Sequence, residues 1–138
     1  MPSVDFADEV DPFTEQSFFS VLTQDLSGHN VIADKQSVFH GGQAEGRLIC
    51  GNLCLLATLC GSDFLPDMHD TLLMIEDIGE EQYRIDRYLS QLELSGHLKS
   101  TNGILIGDFT PPSNPVASVP QRSYEEIFLD YAYRAGKP

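Results

Sequence analysis

Apolar and polar positions change period several times along this chain, and the clearest change lies in residues 71–98, TLLMIEDIGEEQYRIDRYLSQLELSGHL. Leu72, Leu73, Met74 and Ile75 form a continuous apolar run that predicts a buried strand over 71–76. Glu76 and Asp77 follow at once, then the turn glycine Gly79. Ile85, Tyr88, Leu89 and Leu92 recur at helical spacing and predict a helix over about 80–96, with Gly96 as a close approach or a stop. Glu80 and Glu81 suit the positive end of that helix, and Glu80 can pair with Arg84 one turn on. Gly103-Ile104-Leu105-Ile106-Gly107 reads as a second buried strand, closed by Asp108. Strand, helix and strand at this spacing predict a right-handed crossover, which makes the two strands parallel and brings Glu76 and Asp108 to one sheet edge.

The flanks are less regular. Residues 1–12 are acidic and proline-flanked and read as a linker, after which Thr14 is a cap for a helix over 15–24 with Phe18, Val21 and Leu22 on its apolar face. Val31-Ile32-Ala33 and Ser37-Val38-Phe39, separated from the rest by Gly41, Gly42 and Gly46, suggest a small antiparallel or irregular sheet. Leu48-Ile49-Cys50 ends a strand, Gly51-Asn52 turns the chain, and Leu53, Leu55, Leu56 and Leu59 form a helix that closes at Gly61. Beyond Asp108 a loop carrying Pro111, Pro112, Pro115 and Pro120 leads to Ser123, which with Glu126 forms a capping box for a last helix bearing Ile127, Phe128, Tyr131 and Ala132. An α/β topology calls for a further strand after that helix, so the sequence reads as cut there.

Composition narrows the partners. The chain has 138 residues, enough for one domain with a real core, and is 41% apolar and 21% charged. Eight Lys and Arg against 21 Asp and Glu leave a net charge of −13, which repels phosphate backbones and anionic membranes. Neither a signal peptide nor an apolar stretch of about 18 residues is present. Three cysteines, Cys50, Cys54 and Cys60, lie in an apolar stretch and fit buried thiols in a reducing, cytoplasmic setting better than a disulfide framework. Cys50, Cys54 and His40 make a poor metal set, without a CxxC knuckle or a fourth ligand.

Chemistry collects beyond the carboxyl ends of parallel strands, so Glu76 is the first candidate site residue. From spacing alone the plainer reading is the polar end of a strand, solvated or paired with a nearby Arg, since acids at strand ends are common. Asp77 is a turn or cap residue ahead of Gly79, Asp108 a cap for the next loop, and together with Glu76 the three offer oxygen ligands for Mg²⁺ that no spacing demands. Asn52, in a turn after a strand end, is a candidate for the wall of the site and for substrate contact. The chain contains no GxSxG elbow and no phosphate-binding glycine loop, and His29, His40, His69 and His97 fall in turns or at helix ends. No cofactor is called for.

Several ordered motifs resemble the LD-carboxypeptidase family of serine peptidases, which includes muramoyltetrapeptide carboxypeptidases and microcin-immunity peptidases. Asp11-Pro12-Phe13-Thr14 with Phe18 is similar to the stretch after the family's interdomain linker. Ala44-Glu45-Gly46-Arg47-Leu48 with Gly51-Asn52-Leu53 resembles its G-G-N-L turn, with Cys50 at the first glycine. Gly61, Ile75-Glu76-Asp77, Tyr83-Arg84-Ile85-Asp86-Arg87 and Gly107-Asp108-Phe109 follow in order. The resemblance implies a small swivelling β/β/α domain of the α/β class with a parallel βαβ unit, truncated at both ends, with residues 1–13 as linker and 14–138 as an incomplete C-terminal domain. It implies a Ser-His-Glu triad that removes a terminal D-amino acid from an L,D-peptide bond, with Glu76 as the triad acid. The serine falls in a missing N-terminal domain and the histidine in a Gly-His turn past residue 138, so this chain alone is expected to be inactive. A peptide substrate, of murein or peptide-antibiotic type, and a homodimer are the implied partners. The rival expectation is a non-catalytic module that binds a peptide or partner.

Overall fold

Residues 6–7, 9–23, 38–114 and 122–138 are described by the structure, a computed structural model. The chain divides into two compact units, Met1–Gln36 and Ser37–Pro138. In the first unit, helix α1 spans Pro12–Thr23. Its cap is Asp11 rather than Thr14: Asp11 Oδ1 accepts from the backbone N–H of Phe13 at 3.0 Å and of Thr14 at 3.1 Å. Proline at the first helical position explains the earlier start, since that N–H has no helical partner in any case. The rings of Phe6, Phe18 and Phe19 cluster with centroids 5.1 to 6.3 Å apart.

The second unit runs β1 (Arg47–Asn52), α2 (Leu53–Leu59), β2 (Thr71–Ile78), α3 (Gln82–Leu94), α4 (His97–Ser100), β3 (Gly103–Thr110) and α5 (Tyr124–Ala135). The strands form a parallel sheet in the order β1-β2-β3, so the expected α/β class and parallel βαβ unit are present. Of the small sheet expected around residues 31–39, Val31 to Ser37 lie outside the described residues, and Val38 to Gly46 form no strand.

Burial alternates along β2. Thr71, Leu73, Ile75 and Asp77 face inward, while Leu72, Met74 and Glu76 are half-buried and Ile78 is 75% exposed. The inward face packs on Leu53 and Leu56 of α2, Ile85, Leu89 and Leu92 of α3, and Ile127, Phe128 and Tyr131 of α5, with Met68 and Leu98 closing the core. Each fully buried aliphatic side chain contributes about 1.5–3 kcal/mol. The opposite face keeps Leu48, Cys50 and Leu105 exposed.

Hydroxyls tie α5 to the α3 segment. Tyr124 donates to the carbonyl of Glu80 at 2.6 Å and Tyr131 to that of Asp86 at 2.8 Å. The capping box at Ser123 and Glu126 forms as expected. Helix α3 stops at Leu94 because Gly96, with φ of 83°, takes the left-handed conformation before α4 begins. At the end of the chain the carbonyl of Pro138 accepts from Ile104 N–H at 2.8 Å, which sets the last residue beside β3. Among the described residues no helix is long and apolar enough to cross a membrane.

Candidate active-site carboxylate

Glu76 does not end its strand. β2 continues through Asp77 to Ile78, and β3 likewise continues through Asp108 to Thr110, beyond the ends the apolar runs predict. The ladder carries both strands on: Gly79 N–H donates to the Thr110 carbonyl at 2.9 Å, with Gly79 at φ of 76° making the turn out of β2.

The pairing of β2 with β3 slips at Glu76. Ile75 pairs with Ile106 and Asp77 with Phe109, so Glu76 alone stands opposite both Gly107 and Asp108. Such bulges re-aim side chains and interrupt pairing, and they are frequent beside active sites. Gly107 keeps this place open: a Cβ there would meet Glu76 Cβ at 3.3 Å and the Ile75 carbonyl oxygen at 3.2 Å. Asp108 is exposed in the bulge, and among the described residues its carboxylate makes no hydrogen bond to the loop that follows. On its other side Glu76 is paired in register with Asn52. Among the described residues the Glu76 carboxylate has neither a hydrogen bond nor an ion pair. It is a half-buried acceptor on the open face of the sheet.

Asp77, next along the strand, is the reverse case. It is 3% exposed, and its Oδ1 accepts from Asn52 Nδ2 at 2.9 Å and from Ile78 N–H at 2.9 Å. Its Oδ2 accepts from Cys54 N–H at 3.0 Å. Asn52 is the N-cap of α2 and accepts from Leu55 N–H at 3.2 Å. Asp77 therefore caps a helix in another element, not the turn at Gly79. Its consumption by N–H donors removes it from any Mg²⁺ set with Glu76 and Asp108, and no three His, Cys, Asp or Glu among the described residues lie together to hold a metal ion.

Around this end of the sheet, Arg84 pairs with Glu80 at 3.3 Å and donates through Nε to the Tyr83 hydroxyl at 3.2 Å; these two contacts, the Tyr83 one foremost, raise its pKa above the ordinary guanidinium value. A hydrogen bond with the Cys54 thiol, aided by burial, pushes Tyr88 up to about 12. Partial desolvation of its sulfur raises the Cys50 thiol too, although the residue as a whole is exposed. His69 is engaged by Asp67 at 2.6 Å. His29 lies outside the described residues.

Sequence reasoning placed Glu76 and Asn52 together but missed the bulge and the role of Asp77. A glycine inside an apolar strand, Gly107, was the signal for the bulge. Nothing local marks Asp77 as a cap, because its partners are 23 to 25 residues away in sequence.

Fold and site define an α/β domain that presents the Glu76 carboxylate beside a bulge near the carboxyl end of the central strand of a parallel sheet. The chain belongs to the LD-carboxypeptidase family, whose C-terminal domain matches residues 45–138. It is 37% identical over 131 residues to a probable murein peptide carboxypeptidase of Bacillus subtilis, covering 95% of this chain and 41% of that protein. It is 35% identical over 71 residues to the microcin C7 self-immunity protein MccF of Escherichia coli, covering 50% of this chain and 21% of that one. The crystal structure of muramoyltetrapeptide carboxypeptidase from Oxalobacter formigenes superposes with a TM-score of 0.76 at 26% identity, over 100% of this chain and 47% of that one. The chain thus spans less than half the length of each of these relatives.

Proposed function

We propose that this chain is the acid-bearing part of a serine carboxypeptidase that releases a terminal D-amino acid from an L,D-peptide bond, with Glu76 as the acid of a Ser-His-Glu triad. The observation that supports the reading best is the Glu76 carboxylate itself, held beside a bulge and left without a partner among the described residues. In this reading Glu76 accepts the Nδ1–H of the histidine, fixes its tautomer and stabilises the imidazolium formed when the serine is deprotonated. The bulged strand end supplies rigidity, and the glycine beside Glu76 supplies room for the imidazole.

The names of the relatives favour a murein tetrapeptide-type substrate, and a place in peptidoglycan recycling in the cytoplasm is part of the same proposal. A peptide antibiotic of the microcin kind is the second substrate class, suggested by MccF. In the same reading residues 1–13 are the linker to a preceding domain that carries the serine, residues 14–138 belong to the C-terminal domain, the histidine comes from outside the chain, and the chain by itself does not turn over. Asn52 lines the site as the register partner of Glu76, and two copies of the enzyme form a dimer.

Replacement Glu76→Gln in the intact protein tests the reading. Turnover of a tetrapeptide ending in D-alanine should fall about 10³- to 10⁴-fold, the scale of losing a triad acid, with KM nearly unchanged. Normal turnover in that variant removes Glu76 from the mechanism. Binding of the peptide without hydrolysis by the wild-type protein favours a non-catalytic binding module instead.

A further inference from the structure

We propose that Asp77 is a positioning residue that fixes the Asn52 turn against Glu76, an inference that rests on Glu76 being the acid of the site. Its carboxylate joins three segments of the chain through one side-chain amide and two backbone N–H groups. It takes the side-chain amide of Asn52 at the end of β1, the N–H of Cys54 in the first turn of α2, and the N–H of Ile78 on its own strand.

The chemistry at this place is specific to a carboxylate. An ionised Asp offers acceptors only, and here it meets only donors. Asparagine has nearly the same shape, but with its oxygen on Asn52 and Ile78 its amide would confront the Cys54 N–H, donor against donor. Three charge-assisted bonds around a group that is 3% exposed form a stiff joint.

The joint matters for the site because its two ends flank Glu76. Asn52 is the register partner of Glu76 across β1 and β2, and Asp77 is its neighbour in sequence. Asn52 is also held at its other end, where Oδ1 accepts from Leu55 N–H. With Oδ1 on Leu55 and Nδ2 on Asp77, the Asn52 side chain has a set rotamer before any substrate arrives. Such support of a site group from behind is typically reflected in a 10- to 100-fold change in activity when it is removed.

The test compares Asp77→Asn, Asn52→Ser and Glu76→Gln in the intact protein, with melting midpoints recorded for each. Asp77→Asn should lower kcat about 10- to 100-fold with KM within about twofold while the protein stays folded at the assay temperature. Asn52→Ser keeps a capping oxygen for Leu55 but loses the donor to Asp77, so it should lower kcat in the same way; a raised KM with unchanged kcat would mean substrate contact and overturn the positioning role. Wild-type turnover in Asp77→Asn beside a collapse in Glu76→Gln overturns the inference and leaves the Glu76 reading standing. Unimpaired Glu76→Gln overturns the Glu76 reading by itself. A spectroscopic arm on this chain is independent of catalysis: in ¹H–¹⁵N spectra Asp77→Asn should shift the Cys54 amide, the Asn52 side-chain amide pair and the Glu76 amide, leaving α5 unmoved. Unmoved Asn52 and Glu76 signals would overturn the joint whatever the activity shows.

Discussion

The two faces of the β2 strand carry neighbouring carboxylates that are treated in opposite ways. On the helix-covered face Asp77 is buried and its oxygens accept three N–H donors. On the open face Glu76 is half-buried and has no partner among the described residues. Burial of an ionised group is tolerated where hydrogen bonds replace its water, and this condition is met on one face only. A carboxylate that builds the domain is thus separated from one that the described residues leave unpaired, although sequence puts them side by side.

The largest effect that can break this comparison is in the apolar frame. Leu73→Ala, on the covered face where the side chain is 0% exposed, should cost about 2–5 kcal/mol in urea unfolding of this chain. Leu105→Ala, on the open face where the side chain is 46% exposed, should cost less than about 1 kcal/mol. Equal losses would mean that the open face is buried in solution and that the contrast between the faces is false.

The carboxylates themselves come next. Asp77→Ala strands the N–H groups of Cys54 and Asn52 and should cost about 2–4 kcal/mol, whereas Glu76→Ala should stay within about 0.5 kcal/mol of wild type. A large stability loss at Glu76 would reveal a structural role for it and weaken its claim to be the triad acid. Together with the kinetic loss expected for Glu76→Gln, the pair gives a double dissociation: stability follows Asp77 and turnover follows Glu76.

Much of this arrangement was legible in the chain. The apolar runs at Leu72–Ile75 and Ile104–Ile106 and the helical stripe through Ile85, Leu89 and Leu92 are local signals, and the parallel βαβ unit follows from their order. The Ser123–Glu126 box is local too, and it formed. What escaped is non-local. The strands run past their apolar cores because ladder bonds such as Gly79 to Thr110 continue after hydrophobicity stops. Asp77 became a cap because parallel pairing brought the end of β1 to it, which no window around Asp77 contains. Glu76 was legible as a residue, but its lack of a partner among the described residues was not, since the bulge at Gly107 and Asp108 is set by non-local pairing.

A loss smaller than that at Asp77 serves as a control far from both carboxylates. Ser123→Ala removes the hydroxyl that accepts from Glu126 N–H at 3.1 Å and should cost about 1 kcal/mol at neutral pH. The same box sets a pH dependence. The Ser123 backbone N–H, at 2.8 Å, and then its hydroxyl hold the Glu126 carboxyl below the usual carboxylate range. A carboxyl depressed in the folded state contributes stability above its unfolded value, near about pH 4.3, and that contribution is lost as pH falls through the folded value. Ser123→Ala keeps the backbone donor but loses the hydroxyl, so the gap between wild type and variant should narrow as pH drops from 6 to about 3. Melting midpoints of both proteins across that range measure it. A gap that widens toward acid would mean that the hydroxyl disfavours the charged carboxylate, and a change in turnover at neutral pH would mean that α5 is coupled to the Glu76 edge, which a control must not be.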